Sequence, residues 1–275
     1  MPPTNPSSKT ASTAVSSRSE PPRGGLCAIH QPNLFPRLTT LAKLFAADYW
    51  IVLDDVQFTR RDYQHRTRLA ALEDPTRRQW LTVPTHLPRG RQTRIREAVM
   101  AEPGRSRERT ARMLQQHYGA SPHWPNFQHG LSAVLDRFAS TDRTALVAEA
   151  STRLLLNMLG WPGQILRSSD LPARSGRSQR LADLTVAVGA STYLCGTGGM
   201  KYLEQSPFRT AGLSVLAFQA PVDDVWAFGH EVTALKPLMG SGEQTLAEAL
   251  RSVSRKLTRG TSCPVRVSGG AVPCP

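Results

Sequence analysis

Four short polar clusters, each following an apolar run, carry the side chains with chemical reach: His30-Gln31-Pro32-Asn33, Asp54-Asp55, Ser168-Ser169-Asp170 and Cys195-Gly196-Thr197-Gly198-Gly199. Histidine changes charge near neutral pH, so His30 is a candidate general acid or base. Asp54 or Asp55 is a candidate to orient it, or to bind a cation, while the other caps the next segment. Neighbouring side chains on an extended chain face opposite ways, so the two are not expected to act together. Cys195 is a candidate nucleophile, because backbone amides at a strand-to-helix turn lower a thiol pKa and stabilise an oxyanion. With His30 and Asp54 it would complete a nucleophile, base and orienter set. Gly196, Gly198 and Gly199 form a candidate anion cradle, although neither a Gly-x-x-x-x-Gly-Lys loop nor a dinucleotide fingerprint is present. A hydrogen-bonded strand-end histidine, a plain turn and a small buried cysteine are the competing structural readings.

The stretch from Gln57 to Arg66 mixes Arg, Gln and aromatic residues. Arginine grips phosphate or carboxylate in two-pronged fashion, so the stretch is either an anion-binding surface or a solvated basic face. His117, His123 and His129 recur six apart, which turns them onto different faces of a helix, and no metal site is expected from them.

The elements that would position these clusters alternate between strand and helix. Leu26–His30 and Tyr49–Leu53 read as buried strands, separated by a helix whose apolar residues Leu38, Leu41, Ala42 and Phe45 share one face. Gln79–Val83 reads as a third strand stopped by Pro84, and Pro88–Arg96 as a surface loop. Helices are expected over Ser106–Tyr118, Pro125–Phe138 and Asp142–Leu159, the last ended by Gly160 and Pro162. Gln164–Arg167, Thr192–Leu194 and Leu213–Phe218 complete the strands, with a helical stripe at Leu181, Leu184, Thr185 and Val188. The rhythm predicts an α/β fold: a mainly parallel sheet flanked by helices, with a helical insertion around residues 105–160. All four polar clusters then fall at strand ends, where open α/β sheets hold ligands.

The chain has 275 residues and a formal net charge of +13. Residues 1–24 and 253–275 are basic and poor in large apolar side chains, so both are expected to be disordered tails around a folded body of 25–252. From Arg60 to Arg112, fourteen arginines stand against six acidic residues, a surplus of eight positive charges. This is a local basic face plus basic tails, which suits an anionic small-molecule or carrier-bound substrate and supplies no specific nucleic-acid motif. Cys27, Cys195, Cys263 and Cys274 form no Cys-x-x-Cys pair, so neither a disulfide framework nor structural zinc is expected. No apolar run reaches the length of a signal peptide or a membrane span, and a cytoplasmic protein is expected.

The chain resembles the WbqC-like family through Ile29-His-Gln-Pro-Asn33, Ile51-Val-Leu-Asp-Asp-Val-Gln-Phe58, Gln64-His-Arg66 and Trp80-Leu-Thr-Val-Pro84. The resemblance continues through Arg167-Ser-Ser-Asp170 and Tyr193-Leu-Cys-Gly-Thr-Gly-Gly199 with Tyr202-Leu203, covering residues 26 to 245. It departs at His65, where the family often has Asn, and at Cys195, where it often has Ser. The resemblance implies an accessory enzyme of surface-polysaccharide or natural-product pathways and names no reaction.

The expectation is therefore a group-transfer enzyme, moving an acyl or aminoacyl group to the amine of a sugar or metabolite. His30, Asp54, Asp55 and Cys195 are the catalytic candidates. Gln31, Asn33, Gln57, Gln64, Arg66, Ser168, Ser169, Gly196, Gly198, Gly199 and Tyr202 are the substrate-binding ones. A non-catalytic carbohydrate- or carrier-binding protein is the alternative. Cofactor and oligomeric state are left open.

Overall fold

The structure, a computed structural model, describes residues 24–261. Expectations for residues 1–23 and 262–275, including Cys263 and Cys274, lie outside the described residues. The chain begins with β1 (Leu26–His30), α1 (Leu38–Phe45) and β2 (Tyr49–Val52). A hairpin of β3 (Arg66–Ala70) and β4 (Arg78–Thr82) follows, then a short pair, β5 (Thr85–His86) and β6 (Val99–Met100). Three helices come next: α2 (Pro103–Tyr118), α3 (Trp124–Ser140) and α4 (Thr144–Met158). The last third holds β7 (Gln164–Arg167), α5 (Arg177–Ala187), β8 (Thr192–Gly196), α6 (Thr197–Met200), α7 (Ser206–Thr210), β9 (Ser214–Phe218) and α8 (Leu235–Thr261).

Five strands form one parallel sheet in the order β7-β2-β1-β8-β9. Parallel strands are covered on both faces, which explains why β1 and β2 read as unbroken apolar runs. Ala28, Trp50, Val52 and Leu194 face one way, into a core shared with residues of α1, α2, α3, α4 and α8. The alternate residues Cys27, Ile29, Tyr49, Ile51, Tyr193 and Cys195 face a second core, closed by Ala182 and Leu184 of α5 and Phe208 of α7. Trp50 is completely buried and donates its indole N–H to the backbone carbonyl of His30 at 3.2 Å, fixing the end of β1.

Several expectations change. The strand read at 79–83 exists as β4, yet it pairs antiparallel with β3 and stands outside the main sheet. In β3 the pattern is half-buried: Thr67 and Leu69 are fully enclosed, while Arg66 and Arg68 turn outward over the Trp80 ring. The loop at 88–96 is folded into two 3-10 turns, Gly90–Gln92 and Ile95–Glu97, with Ile95 buried. The body does not end at residue 252, because α8 continues to Thr261. Leu246, Leu250, Val253 and the partly buried Leu257 recur at helical spacing against the core, so the basic residues between them occupy the outer face.

Candidate functional site

The strand order has a reversal: from β1 the chain builds outward to β2 and β7, then returns to the other side of β1 with β8 and β9. Ligands of open α/β sheets sit in the crevice at such a switch point, beyond the carboxyl ends of the strands. A cavity of about 840 Å³ lies there, bordered by His30 and Gln31 after β1, Lys43 of α1, and Gly196, Gly198 and Gly199 after β8.

His30 is held by a 2.8 Å contact from Nδ1 to the carbonyl of Gln31. A carbonyl only accepts, so Nδ1 carries the hydrogen and Nε2 is left with its lone pair. Burial, reinforced by the positive charge of Lys43, lowers the imidazole pKa to about 3, and the ring is neutral across the neutral range. Gln31 is oriented in turn. The fully buried Gln64 donates its amide to Gln31 Oε1 at 2.6 Å, which leaves the Gln31 amide hydrogens as the uncommitted end.

Lys43 was not visible to sequence reasoning. The periodicity of α1 sets it off the apolar stripe, where solvent is the ordinary surrounding, but both flanks of the helix are covered and Lys43 is only 6% exposed. Its Nζ donates to the carbonyl of Ile29 at 3.3 Å. Burial lowers its pKa to about 8, against the opposing influence of Cys195 and Cys27. Arg37, just ahead of α1, borders the same cavity. Its guanidinium lies 4.2 Å from the centre of the Tyr63 ring and donates to the His230 carbonyl at 2.9 Å, while its Nε is buried with no partner. Among the described residues, neither Lys43 nor Arg37 forms an ion pair with a carboxylate.

Cys195 is not on the cavity wall. It is 1% exposed, its thiol donates to the Gly196 carbonyl at 3.5 Å, and burial pushes its pKa up. A thiol so placed is a core side chain beneath the glycine turn rather than an exposed thiolate. A Cβ on Gly199 would sit 2.8 Å from its sulfur, which explains the glycine there as close packing.

Asp54 and Asp55 belong to a different cluster. Asp54 accepts from the Ser169 amide (3.1 Å) and the Ser169 hydroxyl (2.9 Å), and the Ser168 Oγ lies 3.1 Å from it. Asp55 accepts from Ser168 at 2.6 Å and pairs with Arg180. The two carboxylates were expected to diverge, but both meet Ser168. β2 ends at Val52, so the alternation of a strand no longer governs residues 54 and 55. Asp54 borders a separate, smaller cavity with Glu149 and Arg167, not the one containing His30. The expected set of Cys195, His30 and Asp54 is therefore not assembled.

The remaining candidates scatter. Asn33 is buried beneath the loop, its carbonyl accepting from Thr152 at 2.9 Å on α4. Gln57 is exposed and bridges to Arg94 by its backbone. Arg66 donates to the carbonyls of Arg61 (2.6 Å) and Asp62 (3.3 Å) and stacks on Trp80, holding a turn rather than facing the cavity. Tyr202 is 64% exposed, with Arg177 stacked on its ring.

This arrangement, a parallel α/β sheet with a polar cavity at its switch point and motif residues on that cavity, defines the class. The chain belongs to the WbqC-like protein family, whose model matches residues 31–247. It is similar to the uncharacterized protein Rv1507c of Mycobacterium tuberculosis (strain ATCC 25618 / H37Rv), 26% identical over 195 residues, covering 70% of this chain and 80% of that protein. No solved structure matches it. Among the described residues, no helix is long and apolar enough to cross a membrane.

Proposed function

We propose that the chain is a biosynthetic group-transfer enzyme that moves an acyl or aminoacyl group onto the amine of a sugar or small metabolite. The pathway is one of surface-polysaccharide or natural-product assembly, in the cytoplasm, and the substrate is an anionic small molecule or carrier-bound group. The observation that carries the reading is the His30 ring at the crevice between β1 and β8, with Nδ1–H committed to Gln31 and the Nε2 lone pair left uncommitted.

In the reaction, the acceptor nitrogen bonds to the acyl carbon and the carbonyl electrons move onto oxygen. The surplus proton on nitrogen passes to Nε2 of His30. The carbonyl then re-forms as the leaving group departs with the electrons of its bond and regains that proton. A histidine with a pKa near 3 is a weak base, so it holds the proton only transiently before passing it to the leaving group. The Gln31 amide, turned by Gln64, would donate to the carbonyl oxygen as charge develops on it.

The test is turnover and intact mass with a panel of acyl-carrier thioesters and nucleotide-linked amino sugars. His30→Ala is expected to lower turnover by about 10²- to 10⁴-fold, the usual contribution of a positioned base. Undiminished turnover in that variant sinks the assignment. The alternative, a non-catalytic binder of carbohydrate or carrier, draws support from Asp54 and Asp55, whose bonds are directed to Ser168, Ser169 and Arg180 rather than to His30. Full complementation of the pathway by His30→Ala and Asp54→Ala would favour it.

A further inference from the structure

A buried ammonium can donate three hydrogen bonds, and its charge costs stability unless it is paired. Lys43 has one acceptor, the Ile29 carbonyl, and no carboxylate partner among the described residues. Arg37, permanently charged and with an unpartnered buried Nε, borders the same cavity. Asp62 is the one carboxylate among the residues lining it. Two cations without a carboxylate partner among the described residues thus stand on the wall of one cavity.

We propose that Lys43 anchors an oxyanion of the ligand, a phosphate or a carboxylate, with Arg37 supplying a second positive charge to the same cavity. The role expected of Arg66 thereby passes to residues of the loop and helix that follow β1, since Arg66 is committed to backbone carbonyls and to Trp80. The inference rests on the cavity being the ligand site, as the group-transfer reading does, but needs no transfer to occur.

Anion binding must also move protons. Cys27 and His30 of β1 and Cys195 of β8 are the titratable groups that act electrostatically with Lys43, with Tyr193, Asp62, Arg37 and His230 on the same cavity. None of these side chains on β1 and β8 is a carboxylate, and burial pushes both thiols up. An arriving oxyanion stabilises the charged amine, so binding near pH 8 takes up a proton.

The experiment is calorimetric titration of the full chain near pH 8 with inorganic phosphate, pyrophosphate and citrate, in two buffers of different protonation heat. The expected result is binding of at least one oxyanion with proton uptake, the phosphate and citrate arms separating phosphate from carboxylate preference. Lys43→Met is expected to weaken it by about tenfold or more. Lys43→Arg, which cannot deprotonate, should retain binding and lose the uptake, and it keeps the test decisive if Lys43→Met fails to fold. Arg112→Gln, on the exposed face of α2, should leave binding unchanged. Absence of binding by all three anions, or equal affinity in wild type and Lys43→Met, overturns the proposal. Oxyanion binding without any turnover would remove the enzymatic reading alone, and turnover without Lys43-dependent binding would remove the anchor alone.

Discussion

A buried ammonium lowers stability for as long as it stays protonated, which makes Lys43 measurable apart from any ligand. Its pKa falls from 10.5 in the unfolded chain to about 8 in the fold. The shift corresponds to about 3 kcal/mol of destabilisation. The penalty is fully present below pH 8, shrinks as pH rises from 8 to 10.5 and vanishes above. Lys43→Met should therefore raise the denaturant midpoint at pH 7 and lose that advantage towards pH 10.5, as chemical unfolding across the range will show. A constant difference at every pH would disprove this account of the residue. The close approach of Gly199 to Cys195 makes a second residue-scale prediction. Gly199→Ala should destabilise by about 1–3 kcal/mol, the usual cost of overpacking. Adding Cys195→Ala removes the 2.8 Å conflict, so a double-mutant cycle should show recovery of part of that loss.

Among the elements, α8 gives the plainest test. Ending the chain after residue 252 removes Val253, 7% exposed, and the partly buried Leu257, whereas ending it after residue 261 keeps both. The shorter form should be less stable by about 2–4 kcal/mol, from two apolar side chains returned to water. Equal unfolding midpoints would place the true end of the folded body at 252. That helix was missed because the Arg, Lys and Ser between its apolar residues resemble a tail when composition is weighed before spacing. β3 was missed for a related reason: Arg66-Thr67-Arg68-Leu69 alternates as a half-buried strand should, but its arginines fall within the basic stretch from Arg60 to Arg112, which hides the alternation. The strands of the main sheet were legible because burial on both faces leaves an apolar run that few other structures require. The same rule located His30, Gln31 and the Gly196–Gly199 turn at one crevice. It misplaced Cys195, whose side chain turns into the second core, and Asp54, which lies beyond the strand that was supposed to aim it. Lys43 and Arg37 were beyond a periodicity argument, which sees the helix but not what covers its far side.

At the scale of the whole molecule, two histidines shape the response to acid. Burial holds the pKa of His30 at about 3 and that of His65 at about 4, against 6.5 in the unfolded chain. Between those values the unfolded state binds protons that the fold refuses, so stability should decline as pH falls from 6.5 towards 4. His65→Asn should flatten part of that decline in unfolding midpoints measured over this window. A profile as steep as that of the wild type would assign the acid sensitivity elsewhere.

The strand order also sets a schedule. β1 meets β2 early, with Cys27 opposite Tyr49, but its other neighbour is β8, with Leu26 opposite Thr192. Contacts so remote along the chain are reached late, after the entropy of closing the intervening loop has been overcome. A ribosome that has delivered only the first half of the chain holds His30 and Lys43 without the opposite wall of their cavity. The cavity is thus complete only once β8 has been made.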